Sequence, residues 1–215
     1  MSNSSKENML SQQIRTWGKM DEKIVQLFAS LDRAQFVAPQ FQDLAYADME
    51  IPTLHGEVML SPVVQAKMLQ ALSLQPQETV LEVGTGNGFF TALLARQASH
   101  VISVEYHAKL QEWAAHCLAE VGCPNVSLYV GNAAKDWPVD TPVDVVVITG
   151  GLPFLPEAFK KAVRPGGRIV SILGQGAPME VTLTVQSEKQ WRSQKLFETQ
   201  VPLLKKALLP EAFVF

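Results

Sequence analysis

Thr79-Val80-Leu81-Glu82-Val83-Gly84-Thr85-Gly86-Asn87-Gly88-Phe89 is the stretch that decides the fold. A short apolar run of β-type residues ends in an acidic residue and three glycines spaced two apart, just before a helical pattern. Glycine is needed where the backbone turns tightly or lets a ligand approach without a Cβ in the way. A strand, a glycine-rich turn and a helix N-terminus form a cradle whose free N–H groups and dipole favour a negative group. The dinucleotide version of this turn reads G-x-G-x-x-G/A, its third small residue allowing close helix–strand packing. Here that position is Phe89, and Gly88 stands one residue early.

Working outward from this turn, strand and helix patterns alternate. The strands are expected at Thr79–Val83, Val101–Glu105, Val126–Val130, Val143–Thr149 and Arg168–Leu173. Helices are expected at Phe89–Arg96, Ala108–Val121 and Pro156–Val163, with a short turn near Ala133–Asp136. Near-continuous apolar strands separated by helices imply a mostly parallel, doubly wound α/β sheet covered on both faces. After Gly174 the texture changes. Val181–Val185 and Trp191–Phe197 read as an antiparallel hairpin turning near Glu188-Lys189-Gln190, and Glu211–Phe215 as a further edge strand.

Upstream, the pattern predicts a weak helix at Met9–Trp17 and a stronger one at Asp21–Leu31, where Asp21 is the N-cap. Phe41–Ile51, bracketed by Pro39 and Pro52, reads as mostly loop. A helix over Val63–Leu72 follows, with Ser61 as its cap and Pro62 at its first position. The chain reads as one domain over 1–215: an N-terminal helical, substrate-side segment (1–75), a ligand-binding core (76–175), and a C-terminal hairpin and tail (176–215).

Bulk properties narrow the function classes. With 47% apolar and 18% charged residues the chain is globular. Its net charge of −3, from 18 basic and 21 acidic residues, argues against an extended nucleic-acid-binding face. The N-terminus lacks the apolar stretch of a signal peptide. No window approaches the roughly 18–20 apolar residues of a membrane helix. Cys117 and Cys123 form neither a disulfide framework nor a metal cluster, and two reduced thiols fit the cytoplasm. The expectation is a cytoplasmic protein with neither nucleic-acid nor membrane partner, a monomer being favoured.

Several side chains could carry chemistry. Glu105 ends the second strand, 21 residues after Gly84, where an acid accepts hydrogen bonds from ribose hydroxyls in nucleotide-binding sheets. Ligands of such sheets sit beyond the C-terminal strand ends, where strand order reverses. Asn132, in Gly131-Asn132-Ala133, is therefore either a base-contacting group or a turn former. Thr149-Gly150-Gly151 would run beneath the ligand, whereas Pro165-Gly166-Gly167 lies at the opposite rim and reads as structural. No histidine has a companion at metal spacing, so no metal site is expected. His55, in a loop with Asp48, Glu50 and Glu57, is a candidate for substrate contact. His100, His107 and His116 read as surface or packing residues, and Trp17, Trp113, Trp137 and Trp191 as packing residues.

The acidic-x-Gly-x-Gly-x-Gly turn looks like the S-adenosylmethionine loop of Rossmann-like methyltransferases. More specifically, the chain resembles the protein-L-isoaspartate (D-aspartate) O-methyltransferases over nearly its whole length. The resemblance is carried by Phe36-Val37-Ala38-Pro39, Ala45-Tyr46-Ala47-Asp48, Gly56–Pro62, Val80–Gly88, Val143–Thr149 and Arg164-Pro165-Gly166-Gly167-Arg168. It implies an S-adenosylmethionine-dependent enzyme that methylates the free carboxylate of isoaspartyl residues in damaged proteins or peptides. It also implies cofactor contacts at Glu82, Gly84, Thr85, Gly86, Gly88, Glu105, Asn132 and Thr149.

The substrate-side segment departs from the family pattern. In the family it reads Gly-Gln-Thr-Ile-Ser-x-Pro, and its Ser is assigned to the active site. Gly56 and Pro62 match, but Glu57 stands at the Gln, Val58 at the Thr and Leu60 at the Ser, with Ser61 one residue late. Glu57, Leu60 and Ser61 are accordingly the candidate substrate-side residues. Val58 and Leu60 offer no hydroxyl to orient a carboxylate, and Glu57 would repel one if it faced the site. Three readings stay open: an isoaspartyl methyltransferase using backbone N–H groups around Met59–Ser61, a methyltransferase on another acceptor, and a cofactor-binding protein without isoaspartyl activity.

Overall fold

The computed structural model describes residues 2–16, 18–187 and 190–209, so Trp17, the Glu188-Lys189 turn and the Glu211–Phe215 strand fall outside the described residues. The N-terminal part comprises α1 (Ser2–Asn8), α2 (Glu22–Ser30) and α3 (Pro62–Leu72), and between the last two a small hairpin of β1 (Ile51–Pro52) and β2 (Val58–Met59). The helix expected over Met9–Trp17 begins earlier than that, as α1, and widens into a π-type turn at Met9–Ile14. Asp21 caps α2, accepting from Lys23 N at 2.9 Å, and Ser61 caps α3 with Pro62 in its first turn. The stretch expected as loop holds a 3-10 turn, Pro39–Leu44, before β1.

The remaining strands, β3 (Thr79–Val83), β4 (His100–Glu105), β5 (Val126–Val130), β6 (Val143–Leu152), β7 (Val163–Leu173), β8 (Met179–Ser187) and β9 (Gln190–Thr199), form one sheet in the order β5-β4-β3-β6-β7-β8-β9. The first five are parallel, and β8 and β9 are antiparallel. Strand order reverses between β3 and β6, which places a crevice at their C-terminal ends. Helices α4 (Phe89–Ala95), α5 (Ala108–Glu120) and α6 (Glu157–Ala162) join the strands. At Ala133–Asp136 the chain only bends. This is the Rossmann-like, mostly parallel doubly wound architecture with a C-terminal hairpin that the sequence implies.

Period-2 alternation divides the apolar residues between two cores. Val80, Val101, Val145, Val147, Val170 and Ile172 join α3, α4 and the N-terminal helices on one face. Leu81, Val83, Val104, Val146, Ile148 and Ile169 pack with Phe159 of α6 on the other. Of the tryptophans read as packing residues, Trp113 lies against the first core, and Trp137 and Trp191 against the second. Cys117 is buried in α5 as an apolar group.

Strands β6 and β7 run longer than the sequence suggests, because each carries an irregularity. Val143 pairs with Val163 and Val145 with Arg168, so the Pro165-Gly166-Gly167 turn is looped out at the N-terminal rim. There Arg168 grips both Glu78 carboxylate oxygens at 2.8 Å and also donates to the Leu72 and Ser73 carbonyls, tying β7 to the end of α3. At the opposite rim Val147 pairs with Val170 but Gly151 with Ile172, which leaves two extra residues in β6 around Thr149. Bulges of this kind re-aim side chains beside functional sites. Among the described residues, no helix is long and apolar enough to cross a membrane.

Candidate functional site

The bulge in β6 brings Thr149 Oγ1 within 3.0 Å of the Val83 carbonyl oxygen and 2.7 Å of that of Gly84, so its single proton pins the start of the glycine turn. Gly84 has φ +97°, and a Cβ there would collide with Thr149 Oγ1. Gly86, at φ +57°, faces open space instead: nothing lies within 4 Å of where its Cβ would stand. Asn87 secures the turn from behind, donating from Nδ2 to the Phe36 carbonyl at 3.0 Å and accepting from Phe89 N at 3.3 Å.

Glu105 completes the turn. Its Oε2 accepts from Gly86 N at 2.9 Å and its Oε1 from His107 N at 3.0 Å. Each oxygen keeps further acceptor capacity, so the carboxylate can also take a vicinal diol. Burial pushes this carboxyl above its ordinary range, while the two amide hydrogen bonds pull the other way.

Gly84, Gly86, Glu105 and Thr149 border a cleft at the strand-order reversal. Of the expected cofactor residues, Gly84, Gly86, Glu105, Asn132 and Thr149 line it, as do the candidates Glu57 and Leu60. Asn132 forms the turn, its Oδ1 accepting from Ala134 N at 3.1 Å, and it also borders the cleft.

Glu82, Thr85 and Gly88 stand behind the cleft wall instead of lining it. Alternation turns Glu82 toward α4, where its Oε2 accepts from Thr91 Oγ1 and Ser103 Oγ, both at 2.6 Å. Its Oε1 has no partner, and burial pushes the carboxyl up to about 8, against the pull of the two hydroxyl bonds. At neutral pH it is therefore mainly the neutral acid. Thr85 Oγ1 lies 2.6 Å from Ser103 Oγ and extends the same network. Gly88 accommodates α5, since a Cβ there would lie 3.1 Å from Ala114 Cβ.

On the substrate side, the structure corrects the reading of Ser61. Its hydroxyl accepts from Val64 N as the α3 cap, and Ser61 does not line the cleft. Leu60 does, and its carbonyl is held from the core by Arg33, whose Nη2 donates at 2.6 Å. Arg33 is fully buried, donates from Nη1 to Gln65 Oε1 at 2.5 Å, and lies 5.0 Å from the Phe89 ring centroid. Burial lowers its pKa to about 9, with Asp48 opposing, so it stays charged at neutral pH.

Two parts of the site were missed in the sequence. His107, read as a packing or surface residue, lines the cleft with its Nε2 3.3 Å from Glu57 Oε1, and its ring stacks on His55 at 4.4 Å. His55 itself, a candidate for substrate contact, is not part of the lining. The other is Val201–Lys205, which docks on the β6 bulge through Gly151 N to Pro202 O and Leu204 N to Gly151 O, both 2.9 Å, and closes one side of the cleft. Lys205 Nζ reaches Glu57 Oε1 at 3.0 Å. Among the described residues no group of three or more His, Cys, Asp or Glu is placed to hold a metal ion.

A family model described as protein-L-isoaspartate(D-aspartate) O-methyltransferase matches residues 4–206. Protein-L-isoaspartate O-methyltransferase 1 of Rhodopseudomonas palustris (strain HaA2) is 35% identical over 202 residues, which span 93% of this chain and 82% of that one. A solved protein-L-isoaspartate O-methyltransferase superposes with a TM-score of 0.79 at 22% identity, over 92% of this chain and 65% of its own length. A putative protein-L-isoaspartate O-methyltransferase from Plasmodium falciparum, in complex with S-adenosyl-L-homocysteine, gives a TM-score of 0.81 at 17% identity over 95% and 98% of the two chains. At these identities the two structures speak for the fold.

Proposed function

Because the chain belongs to the protein-L-isoaspartate(D-aspartate) O-methyltransferase family, we propose that it transfers the methyl group of S-adenosylmethionine to the free carboxylate of isoaspartyl residues in proteins and peptides. The observation that carries the reading is the Glu105 carboxylate, fixed by two backbone amides and facing a cleft where Gly86 leaves the approach open. That arrangement fits an adenosine ligand: Glu105 would take the ribose hydroxyls, Gly84–Gly86 would lie along the ligand as bare main chain, and Tyr106 and Asn132–Ala134 would flank the base.

When bound, the cofactor supplies an electrophilic methyl on a sulfonium sulfur. The chain's own task is placement. A carboxylate acceptor is already ionised at neutral pH, so no residue has to remove a proton. Holding the reactants in line can contribute about 7–11 kcal/mol in favourable cases. Arg33 fixes the backbone of the substrate-side segment through Leu60 O, and Val58, Leu60, Leu203 and Leu204 give the cleft an apolar wall that excludes water.

The test is methylation of an isoaspartyl peptide and its aspartyl twin with labelled S-adenosylmethionine. Base-labile label should enter only the isoaspartyl peptide, and Glu105→Ala should abolish cofactor binding by calorimetry. A normal titration by that variant overturns the cofactor assignment. A second reading, another acceptor or cofactor binding alone, is favoured by Val58 and Leu60 bordering the cleft where hydroxyls are expected. It prevails if the wild type gives no label but Val58→Thr/Leu60→Ser gains it.

A further inference from the structure

The substrate half of the cleft has lost two hydroxyls, yet an anionic acceptor still needs a donor when it leaves water. The geometry points to Lys205 as the group that receives the isoaspartyl carboxylate, in place of the hydroxyls absent at Val58 and Leu60. The inference rests on the isoaspartyl reading above and names the residue that orients the substrate within it.

Among the described residues lining the cleft, Lys205 is the one Lys or Arg. It stands one residue beyond Leu204, whose N–H is bonded to Gly151 O at 2.9 Å, and Ala207 N closes a turn onto Leu204 O at 3.1 Å. The ammonium therefore projects from a stretch anchored to the sheet. Its bond to Glu57 Oε1 at 3.0 Å carries it across to the segment that bears Val58 and Leu60. An ammonium has three N–H donors. With one on Glu57 and 42% of the side chain exposed, two remain for an incoming carboxylate.

The same contact answers the objection that Glu57 repels the substrate. Lys205 at 3.0 Å and His107 Nε2 at 3.3 Å both sit on Glu57 Oε1, so its charge is met before substrate arrives. When the carboxylate takes its place beside Lys205, Glu57 keeps His107 as a partner. Charge also separates substrate from product. The acid is attracted by the ammonium, whereas the methyl ester is neutral and loses that attraction. Lys205 thus favours release of the product over the substrate.

The experiment compares wild type, Lys205→Met and Lys205→Arg, each saturated with S-adenosylhomocysteine, which also confirms that the variants fold. The ligands are an isoaspartyl peptide and its carboxamide analogue, titrated by calorimetry, and KM and kcat are measured for methylation of the acid. Wild type should prefer the acid by tenfold or more. Lys205→Met should lose that preference and raise KM at least tenfold with a smaller change in kcat, and Lys205→Arg should retain most of both. An unchanged preference and KM in Lys205→Met overturns the role of Lys205 while leaving the isoaspartyl reading standing. Absence of any methylation by wild type removes both.

Discussion

Glu82→Gln should flatten the dependence of stability on pH. The Glu82 carboxyl is wholly buried and pushed up to about 8 from an ordinary 4.5. Below the lower value both folded and unfolded chains hold the proton, and nothing is lost. Between the two values the folded protein keeps a proton that the unfolded chain has released, so stability falls as pH rises, by roughly 1.4 kcal/mol per pH unit. The full cost above pH 8 is on the order of 5 kcal/mol. The variant's amide does not titrate. Its oxygen can still accept from Thr91 and Ser103, and its nitrogen falls where Oε1 already lacks a partner, at a pH-independent cost of about 1–3 kcal/mol. The stability of variant minus wild type should therefore climb by roughly 3 kcal/mol between about pH 5.5 and 7.5. Urea unfolding of the ligand-free protein, followed by tryptophan fluorescence across that range, measures it. A constant offset between the two proteins would refute the argument, because it would mean that Glu82 is ionised in the fold.

Gly84→Ala forces a side chain into φ +97° and against Thr149 Oγ1, so it should cost about 2–4 kcal/mol and weaken cofactor binding. Adding Thr149→Ala should restore part of the melting temperature but not all of it, since the backbone strain remains; an unshifted melt in the single variant contradicts this account. Arg33→Ala strands the Leu60 carbonyl and Gln65 in the core, and urea unfolding should register a loss of about 3–5 kcal/mol. A loss under 1 kcal/mol would mean that Arg33 does not hold the segment.

The sheet was legible because its strands carry an unambiguous signal. Val145–Ile148 is a continuous apolar run of the kind a strand covered on both faces accommodates, and the hairpin alternates clearly. The start of β7 was not, since the looped-out Pro165-Gly166-Gly167 reads as the end of pairing although Val163 is already opposite Val143. The near wall of the cleft followed from the glycines and Glu105. Its far wall did not, because Val201–Lys205 carries no motif and docks through main-chain bonds to Gly151. Glu82 shows the opposite error. An acid placed just before the glycines looks like a ligand contact, yet alternation directs it to α4. His107 was misread because its partner, Glu57, is distant in sequence.

The Arg168 grip on Glu78 and on the end of α3 gives this molecule a welded floor. Architecture and chemistry are thereby kept at opposite ends of the strands. The half-buried side chains in the ceiling at 57 and 58 can change without touching that grip, which leaves the choice of acceptor free to change while the nucleoside berth stays put.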